Sequence, residues 1–321
     1  GSIVTNVTTL NRRTMLKAAA IATAAAAVSP GLAQAQGRVV GTVIDYSAGV
    51  PSARAVKAAG HMGAVRYVSE RRPGANWMLG KPVTLAETQD FKAQGLATAS
   101  VYQFGRDTTA DWLGGAGAAA QHAPSAIRLH IAAGGPTGRP IYVAIDDNPS
   151  RAQYENQIRP YLRAFQAALA LAGYQTGVYG NYNVIQWCVE DNIGTFFWQH
   201  DWGSGGKIHP RTTIHQKAKW QATIDGITVD INNVYASDWG QWTPGQTASA
   251  PIVPAAPAVP STPGAPTAPG KALSGLTQEE KEAVAAISDL VATGGKLIGD
   301  VASNSSLPGS SLPGSSIRGL F

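Results

Sequence analysis

The segment Ile141-Tyr142-Val143-Ala144-Ile145-Asp146 is the most informative part of this chain for its fold class. It is a short apolar run of the kind that forms a β-strand, and it ends in a carboxylate. A helical pattern follows over residues 151–172. The segment therefore predicts a strand followed by a helix, which is the repeating unit of a parallel sheet.

The same alternation of strand and helix patterns continues on both sides of this segment. Similar β-like runs occur at Val39–Tyr46, Ala64–Ser69, Ala97–Phe104, Pro140–Asp146, Thr176–Tyr179, Thr195–Gln199, Thr212–Gln216 and Ile227–Val234. Helical patterns separate the early runs, at Ser52–Ala59, Leu85–Ala93, Thr109–Gln121, Arg151–Ala172 and Tyr182–Asp191. Eight strands that alternate with helices indicate a closed (β/α) barrel.

The barrel is expected to be irregular, because the connections after the fifth helix are short and rich in Gly, Lys and Pro. The predicted fold class is α/β, a TIM-like barrel with eight strands and about five helices. An open doubly wound sheet is the structural alternative. It would normally place a glycine-rich phosphate loop after the first strand, whereas this strand ends in Asp45-Tyr46-Ser47.

Composition divides the chain into five parts. We assign residues 1–35 to a signal peptide and 38–243 to the barrel. Residues 246–273 are dominated by Pro and Ala, which is typical of a semi-rigid linker. A short helix is predicted over 274–300, opened by the capping box Thr277-Gln278-Glu279-Glu280, and a disordered tail over 301–321. We expect a chain that ends near Gly245 to keep its melting temperature.

The first 35 residues have the features of a removable export signal. Arg12-Arg13 precede Leu16 and Lys17, a weakly apolar run covers residues 18–28, and Ala33-Gln34-Ala35 offers a cleavage site. Paired arginines in this setting indicate the twin-arginine route. An amphipathic N-terminal helix is the alternative, but no acidic residue occurs before Asp45. We therefore expect an extracellular or wall-associated protein without stable membrane insertion after cleavage.

Charge and cysteine content exclude several classes of function. Hydrophobic residues make up 44% of the chain, enough for a globular core. The net charge of +5 includes three positive charges that leave with the signal, so nucleic acid is not an expected partner. The single cysteine, Cys188, lies in an apolar helical stretch, which favours a buried inert thiol over a catalytic one.

Acidic and amide residues occur where the predicted strands end. In a barrel of parallel strands these ends form the reactive rim. The acids there are Asp45, Glu70, Asp146 and Asp230, and aromatic and amide residues at or near the same rim are Tyr46, Tyr102, Tyr179, Trp198 and Gln199. Carboxyl groups among flat rings are what glycan hydrolysis requires, since acids protonate and stabilise while rings stack on sugars.

Each of these residues also has an ordinary structural explanation. Asp146 could cap the helix that begins near Ser150. Glu70 could pair with an adjacent arginine, and any single Trp could fill the core. His200, Asp201 and His215 match no standard metal-ligand spacing, so neither a metal nor a cofactor is expected.

Five segments in order resemble one family of proteins. They are Val43-Ile44-Asp45-Tyr46-Ser47, Ile141-Tyr142-Val143-Ala144-Ile145-Asp146, Gly177-Val178-Tyr179-Gly180, Phe197-Trp198-Gln199 and Gly226-Ile227-Thr228-Val229-Asp230-Ile231-Asn232. Together they resemble the glycoside hydrolase family 25 lysozymes, and more closely the exported actinobacterial glycoside hydrolase-like domain related to them. The resemblance covers about residues 39–243. It implies a barrel that acts on peptidoglycan or another cell-wall glycan.

The resemblance also assigns roles to residues, with one departure from the family pattern. The lysozymes carry Asp-x-Glu on the fourth strand; here Asp146 matches the Asp, while Asn148 stands in place of the acid-donating Glu. Asp45 and Asp230 match the acids of the first and eighth strands. An amide has no proton to donate at neutral pH, so another acid must act, with Glu70 the expected donor.

Three hypotheses about function follow. The chain is a wall glycoside hydrolase that uses Asp146, Glu70, Asp45 and Asp230, with Asn148 and the rim aromatics on the sugar. Alternatively, it binds wall glycan without cutting it. In the third hypothesis the barrel is a scaffold, and a protein partner binds the C-terminal helix.

Overall fold

Eight strands close into a barrel in the computed structural model, which describes residues 38–246 and 275–288. The strands follow one another around the barrel in chain order. They are β1 Gly41–Asp45, β2 Gly63–Tyr67, β3 Ala97–Tyr102, β4 Pro140–Ala144, β5 Gln175–Gly180, β6 Phe196–His200, β7 Ile214–Ile224 and β8 Ile227–Val234. The prediction of an eight-stranded α/β barrel is confirmed.

One strand runs against the expected direction. Strands β1 to β7 are parallel to their neighbours, but β8 is antiparallel to both β7 and β1. The cause is the two-residue turn Asp225-Gly226, where both residues have positive φ and join β7 to β8 as a hairpin. Strand β7 consequently extends to Ile224 rather than ending at Gln216 as predicted.

Helices cover the outside of the barrel in its first five connections. They are α1 Ala53–Ala58, α2 Leu85–Ala93, α3 Gly115–Ala132, α4 (Arg151–Gln153, the π-helical turn Tyr154–Ile158 and Arg159–Leu171) and α5 Tyr182–Glu190. A further helix, α6, follows the barrel strands at residues 278–288. Helices α1, α2, α4 and α5 begin where the side chains of Ser52, Thr84, Ser150 and Asn181 accept a backbone N–H of the first turn. Helix α3 differs from prediction, because two 3₁₀ turns occupy residues 107–114 and the helix continues to Ala132.

Alternate residues of each strand point into the barrel and pack there on one another. Inward side chains form one apolar cluster that includes Val43, Val65, Val101, Tyr142, Tyr179, Trp198, Ile214 and Val234. Gly177 also belongs to an inward position, since a Cβ there would lie 2.5 Å from the Tyr142 ring. The barrel interior is therefore filled below the rim, and any open space lies at its end.

The C-terminal helix belongs to the outer core. Ala283, Val284 and Ile287 of α6 are buried in the same hydrophobic cluster as residues of α3, α4 and α5, and Leu276 packs against it. The capping box is formed, with Thr277 Oγ1 accepting the N–H of Glu280 and Glu280 accepting that of Thr277. The predicted apolar face of the helix is therefore covered by the barrel, and a chain that ended near Gly245 would lack this contact.

Several sequence predictions lie outside the described residues. These are the signal peptide at 1–35, nearly all of the linker at 246–273, the continuation of the helix beyond residue 288, and the tail at 301–321. Cys188 is fully buried, and burial raises the pKa of its thiol, as expected for an inert cysteine. In the parts of the chain that are described, no helix has the length and apolar character to cross a bilayer.

Candidate active site

A cavity of about 440 Å³ opens at the end of the barrel where strands β1 to β7 finish. Asp45, Asp146 and Asp230 all contribute to its lining. Asp230 reaches this end because β8 runs in the opposite direction, so that a residue in the first half of β8 pairs with Asp45 at the end of β1. Three of the four acids predicted for the rim thus lie in one cavity.

The alternation of the strands explains why these three acids point inward. Asp45 lies two residues after Val43, and Asp146 two residues after Ala144; both apolar residues belong to the interior cluster. On β8, Asp230 lies two residues before Asn232 and four before Val234, so the three side chains share one face of the strand. Side chains two apart on a strand share one face.

Asp45 is held among amide groups and beside a second acid. Its Oδ2 accepts hydrogen bonds from Asn232 Nδ2 at 2.8 Å and from Gln216 Nε2 at 3.0 Å. Burial, and next the charge of neighbouring Asp230, raise the pKa of Asp45 to about 8. The Asp45 carboxyl therefore retains a proton at neutral pH.

Two aromatic residues fix the orientation of those amides. Tyr179 donates its hydroxyl to Gln216 Oε1 at 2.6 Å, which leaves the Gln216 NH₂ facing Asp45. Trp198 Nε1 donates to Asn232 Oδ1 at 2.8 Å and orients that amide in the same sense. Tyr179 and Trp198 also line the cavity, but both are buried, so their role is to hold the amides that contact Asp45.

Asp146 is more exposed to solvent than Asp45, with 31% of its side chain exposed. Its Oδ2 accepts from Gln103 Nε2 at 3.2 Å and lies 3.9 Å from Arg106 Nε. The helix-cap explanation for Asp146 is wrong, because Ser150 caps the first turn of α4. Asp146 is thus a carboxyl group available to a ligand.

Comparison with known proteins now identifies the family. Residues 54–234 match the family described as "Rv2525c-like, glycoside hydrolase-like domain". The chain belongs to this family. The sequence resemblance to the exported glycoside hydrolase-like domain is confirmed.

The Rv2525c-like relatives cover most of the chain. The Mycobacterium tuberculosis (strain ATCC 25618 / H37Rv) protein named "Putative peptidoglycan hydrolase Rv2525c" is 48% identical over 240 residues, 73% of this chain and 99% of the relative. A crystal structure of the M. tuberculosis Tat-secreted protein Rv2525c with L-tartrate has 50% identity and a TM-score of 0.61, covering 64% of this chain and 100% of that one. The same protein with HEPES has 51% identity and a TM-score of 0.60, covering 63% and 99%.

Four residues predicted for the site of this Rv2525c-like domain lie elsewhere. Glu70 is half exposed and faces Arg128 on α3 at 3.7 Å, so its placement in the cavity mouth is wrong. Tyr102 bonds His122 and packs in the outer core. Gln199 is fully buried, bonded to Lys207 O and to Thr212. Asn148 accepts from Asn181 Nδ2 at 3.0 Å, away from the cavity lining.

Tyr46 does line the cavity, although it is only 3% exposed. Its hydroxyl donates to Glu87 at 3.2 Å, and the Arg66 guanidinium lies 4.0 Å from its ring centroid. Arg66 and Glu87 form a buried ion pair at 3.0 Å. Tyr46 is therefore a rigid part of the wall.

Sequence reasoning missed several lining residues. They include Tyr67, Arg72, Trp77, Lys81, Gln103, Arg106, Gln216 and Gln221. Gln103 and Gln216 lie at the ends of the third and seventh predicted strands beside Tyr102 and His215, which were singled out, but no site role was predicted for the two glutamines. In both cases the singled-out residue points out of the barrel and its neighbour points in.

The three residues weighed as metal ligands make other contacts. His215 Nε2 lies 2.6 Å from Asp201 Oδ1, and His200 Nε2 lies 3.3 Å from Ile145 O. Within residues 38–246 and 275–288, no group of three or more His, Cys, Asp or Glu side chains is arranged to hold a metal ion.

Proposed function

We propose that this protein hydrolyses a cell-wall glycan, with Asp45, Asp146 and Asp230 as its reacting and substrate-holding acids. The observation that carries the proposal is the convergence of these three carboxyl groups in one aromatic-walled cavity. The family is glycoside hydrolase-like, and the M. tuberculosis relative carries the name of a peptidoglycan hydrolase. Both support a glycan as the ligand.

In this proposal Asp45 supplies the proton that Asn148 cannot. Its carboxyl stays protonated at neutral pH and would donate to the glycosidic oxygen as the bond breaks. Asp230, which pairs with it across β1 and β8, would accept a proton from the attacking water and return it to Asp45. Asp146 would stabilise the positive charge that develops on the sugar ring.

The test compares variants on purified wall glycan, with new reducing ends as the readout. Asp146→Asn and Asp45→Asn should each lower the rate at least about 100-fold, because each removes a group that acts in the transition state. Glu70→Gln is the matched control and should keep wild-type activity, since Glu70 lies outside the cavity. Full activity in Asp45→Asn, or loss in Glu70→Gln, would contradict the assignment of the acid.

A second candidate is a protein that binds the glycan without cutting it. The observation in its favour is Asn148, which stands where the lysozyme pattern has a Glu and whose side chain is bonded to Asn181. In that case the wild type releases no reducing ends, yet Asp146→Asn weakens retention on wall glycan. A wild type that neither cuts nor binds would exclude both functions and leave the scaffold hypothesis.

We also propose that the chain is exported by the twin-arginine route and acts outside the cytoplasm or at the wall. The Arg12-Arg13 pair supports this, as does the M. tuberculosis relative, which is Tat-secreted. Replacing both arginines with lysine should leave the precursor in the cytoplasm, as seen by fractionation and immunoblotting. Normal secretion of the double-lysine variant would refute the route.

A further inference from the structure

The cavity is not uniformly acidic. Arg72, Lys81 and Arg106 also line it, and they come from two neighbouring loops, residues 68–84 after β2 and 103–114 after β3. We call these three residues the cationic wall. The three acids, in contrast, come from β1, from the end of β4 and from β8.

The two arginines of the cationic wall have unused hydrogen-bonding capacity. In the described part of the chain, no carboxylate lies within ion-pair distance of Arg72, whose Nη1 contacts only Met78 Sδ at 3.8 Å. Arg106 has two loose ion pairs, each at 3.9 Å, to Asp107 and Asp146, and 54% of its side chain is exposed. A guanidinium offers five donors in a fixed plane, and most of these donors have no protein acceptor.

The loops that carry this wall are held in place by buried groups. Arg66, only 1% exposed, donates to the carbonyl oxygen of Gly80 in the loop after β2 and to that of Tyr46, which directly follows β1. Asp111 accepts the N–H groups of Phe104 and Gly105 at 2.8 and 2.7 Å, next to Arg106. The guanidinium groups therefore project from a supported backbone rather than from free loops.

From this arrangement we infer that the cavity selects a glycan bearing a carboxylate substituent, which the cationic wall binds through Arg72 and Arg106. The inference rests on the proposed function, since it names the substrate class of the same cavity. A neutral sugar would offer the two guanidinium groups only hydroxyl and amide oxygens, which neither balance their charge nor match a planar pair of donors. A carboxylate does both, because it is anionic and accepts a planar pair of N–H groups.

A neighbouring ring completes the subsite. Trp77 is 54% exposed, lines the same cavity and lies beside Arg72, whose guanidinium carbon is 5.9 Å from the ring centroid. Its open indole face suits stacking on the sugar that carries the charge. Lys81 donates to Gln103 O at 2.7 Å, so it adds positive charge to the wall while its own donors are partly used.

Binding of purified wall glycan to the full-length protein tests the inference. Three preparations are compared in the cold: untreated strands, strands with amidated carboxyl groups, and strands freed of phosphodiester-linked groups by hydrofluoric acid. Amidation should weaken binding about tenfold or more, as expected for loss of a charge-assisted hydrogen bond, while hydrofluoric acid should have no effect. The opposite pattern would assign the wall to phosphate and overturn the inference.

Variants of the two arginines show whether the cationic wall causes the preference for carboxylates. Arg106→Gln and Arg72→Gln should each lower affinity for untreated strands and no longer distinguish them from amidated strands. Arg128→Gln is the matched control, because Arg128 is equally exposed at 54%, has one loose ion pair to Glu70 and lies outside the cavity.

If wild type and both variants bind untreated and amidated strands equally, while Asp146→Asn still loses activity, the inference fails and the proposed function stands. If the wild type binds no preparation and cuts none, both fail together.

Discussion

Among single residues, Asp45 affects both the stability of the folded protein and the proposed proton transfer. An unfolded chain releases such a proton near pH 4, whereas the folded protein holds it up to about pH 8. The folded state therefore carries the extra proton between these values, and its stability falls as pH rises from about 4 to about 8. Keeping this acid buried costs the fold stability at neutral pH, as is common for active-site residues.

Asparagine at position 45 should remove that cost. Its oxygen can accept from Gln216 and Asn232 as the carboxyl does, and its NH₂ can face Asp230, so it resembles the protonated acid. We expect Asp45→Asn to match wild type near pH 4 and to exceed its unfolding free energy by at least about 2 kcal/mol at pH 8. Urea unfolding followed by tryptophan fluorescence measures this.

Glu70→Gln serves as the comparison, because it also removes one carboxyl group but does so outside the cavity. Were the pH profile of Asp45→Asn parallel to that of wild type between pH 4 and 8, the carboxyl would not be protonated in the folded protein. The assignment of Asp45 as proton donor would then lose its basis.

At the scale of elements, helix α6 is short but buried on one face. Ile287 is fully buried and Val284 is 3% exposed, within the cluster formed by α3, α4 and α5. A single helix of this length has little stability in water, so its order depends on that contact. The helix should contribute to the stability of the barrel in return.

We expect Ile287→Ala to lower the unfolding free energy by about 2–5 kcal/mol, since it empties a fully buried site. Lys281→Ala, an exposed position on the same helix, should change it by no more than about 0.5 kcal/mol. Thermal unfolding of both variants beside wild type provides the measurement. An unchanged melting temperature in Ile287→Ala would show that α6 does not dock on the barrel.

The β7–β8 hairpin is the element that changes the topology. Asp225-Gly226 is the most direct hairpin signal in the sequence, between two runs of β-forming residues. The predicted repeat of strand and helix did not include this turn, because such a repeat makes all strands parallel. The Asp225-Gly226 pair therefore indicates a hairpin, and a hairpin places Asp230 on an antiparallel strand.

At the scale of the whole molecule, barrel closure brings the site together. Asp45 and Asp230 belong to the first and last strands, and they become neighbours only because β1 pairs with β8. Asp146 comes from the opposite side of the barrel, after β4, and meets them across the cavity. The cationic wall lies on the loops after β2 and β3, so one end of the barrel presents both charges to a ligand.

The eight strands, most of the helices and three acids of the cavity could be predicted from the amino-acid sequence alone. These follow from local patterns: apolar runs, helical periodicity and carboxylates that end strands. The absence of an acid at position 148 was equally plain from the sequence. Each of these signals lies within a few consecutive residues.

Which side chains share the cavity, and which carboxyl group has a raised pKa, depends on the folded barrel and could not be predicted from the sequence. Tyr102 and Gln103 are adjacent in the chain, yet one packs outside the barrel and the other lines the cavity. The raised pKa of Asp45 needs burial and the nearby Asp230, and α6 needs the surface of three other helices. These properties depend on distances between residues far apart in sequence, and those distances exist only once the barrel has closed.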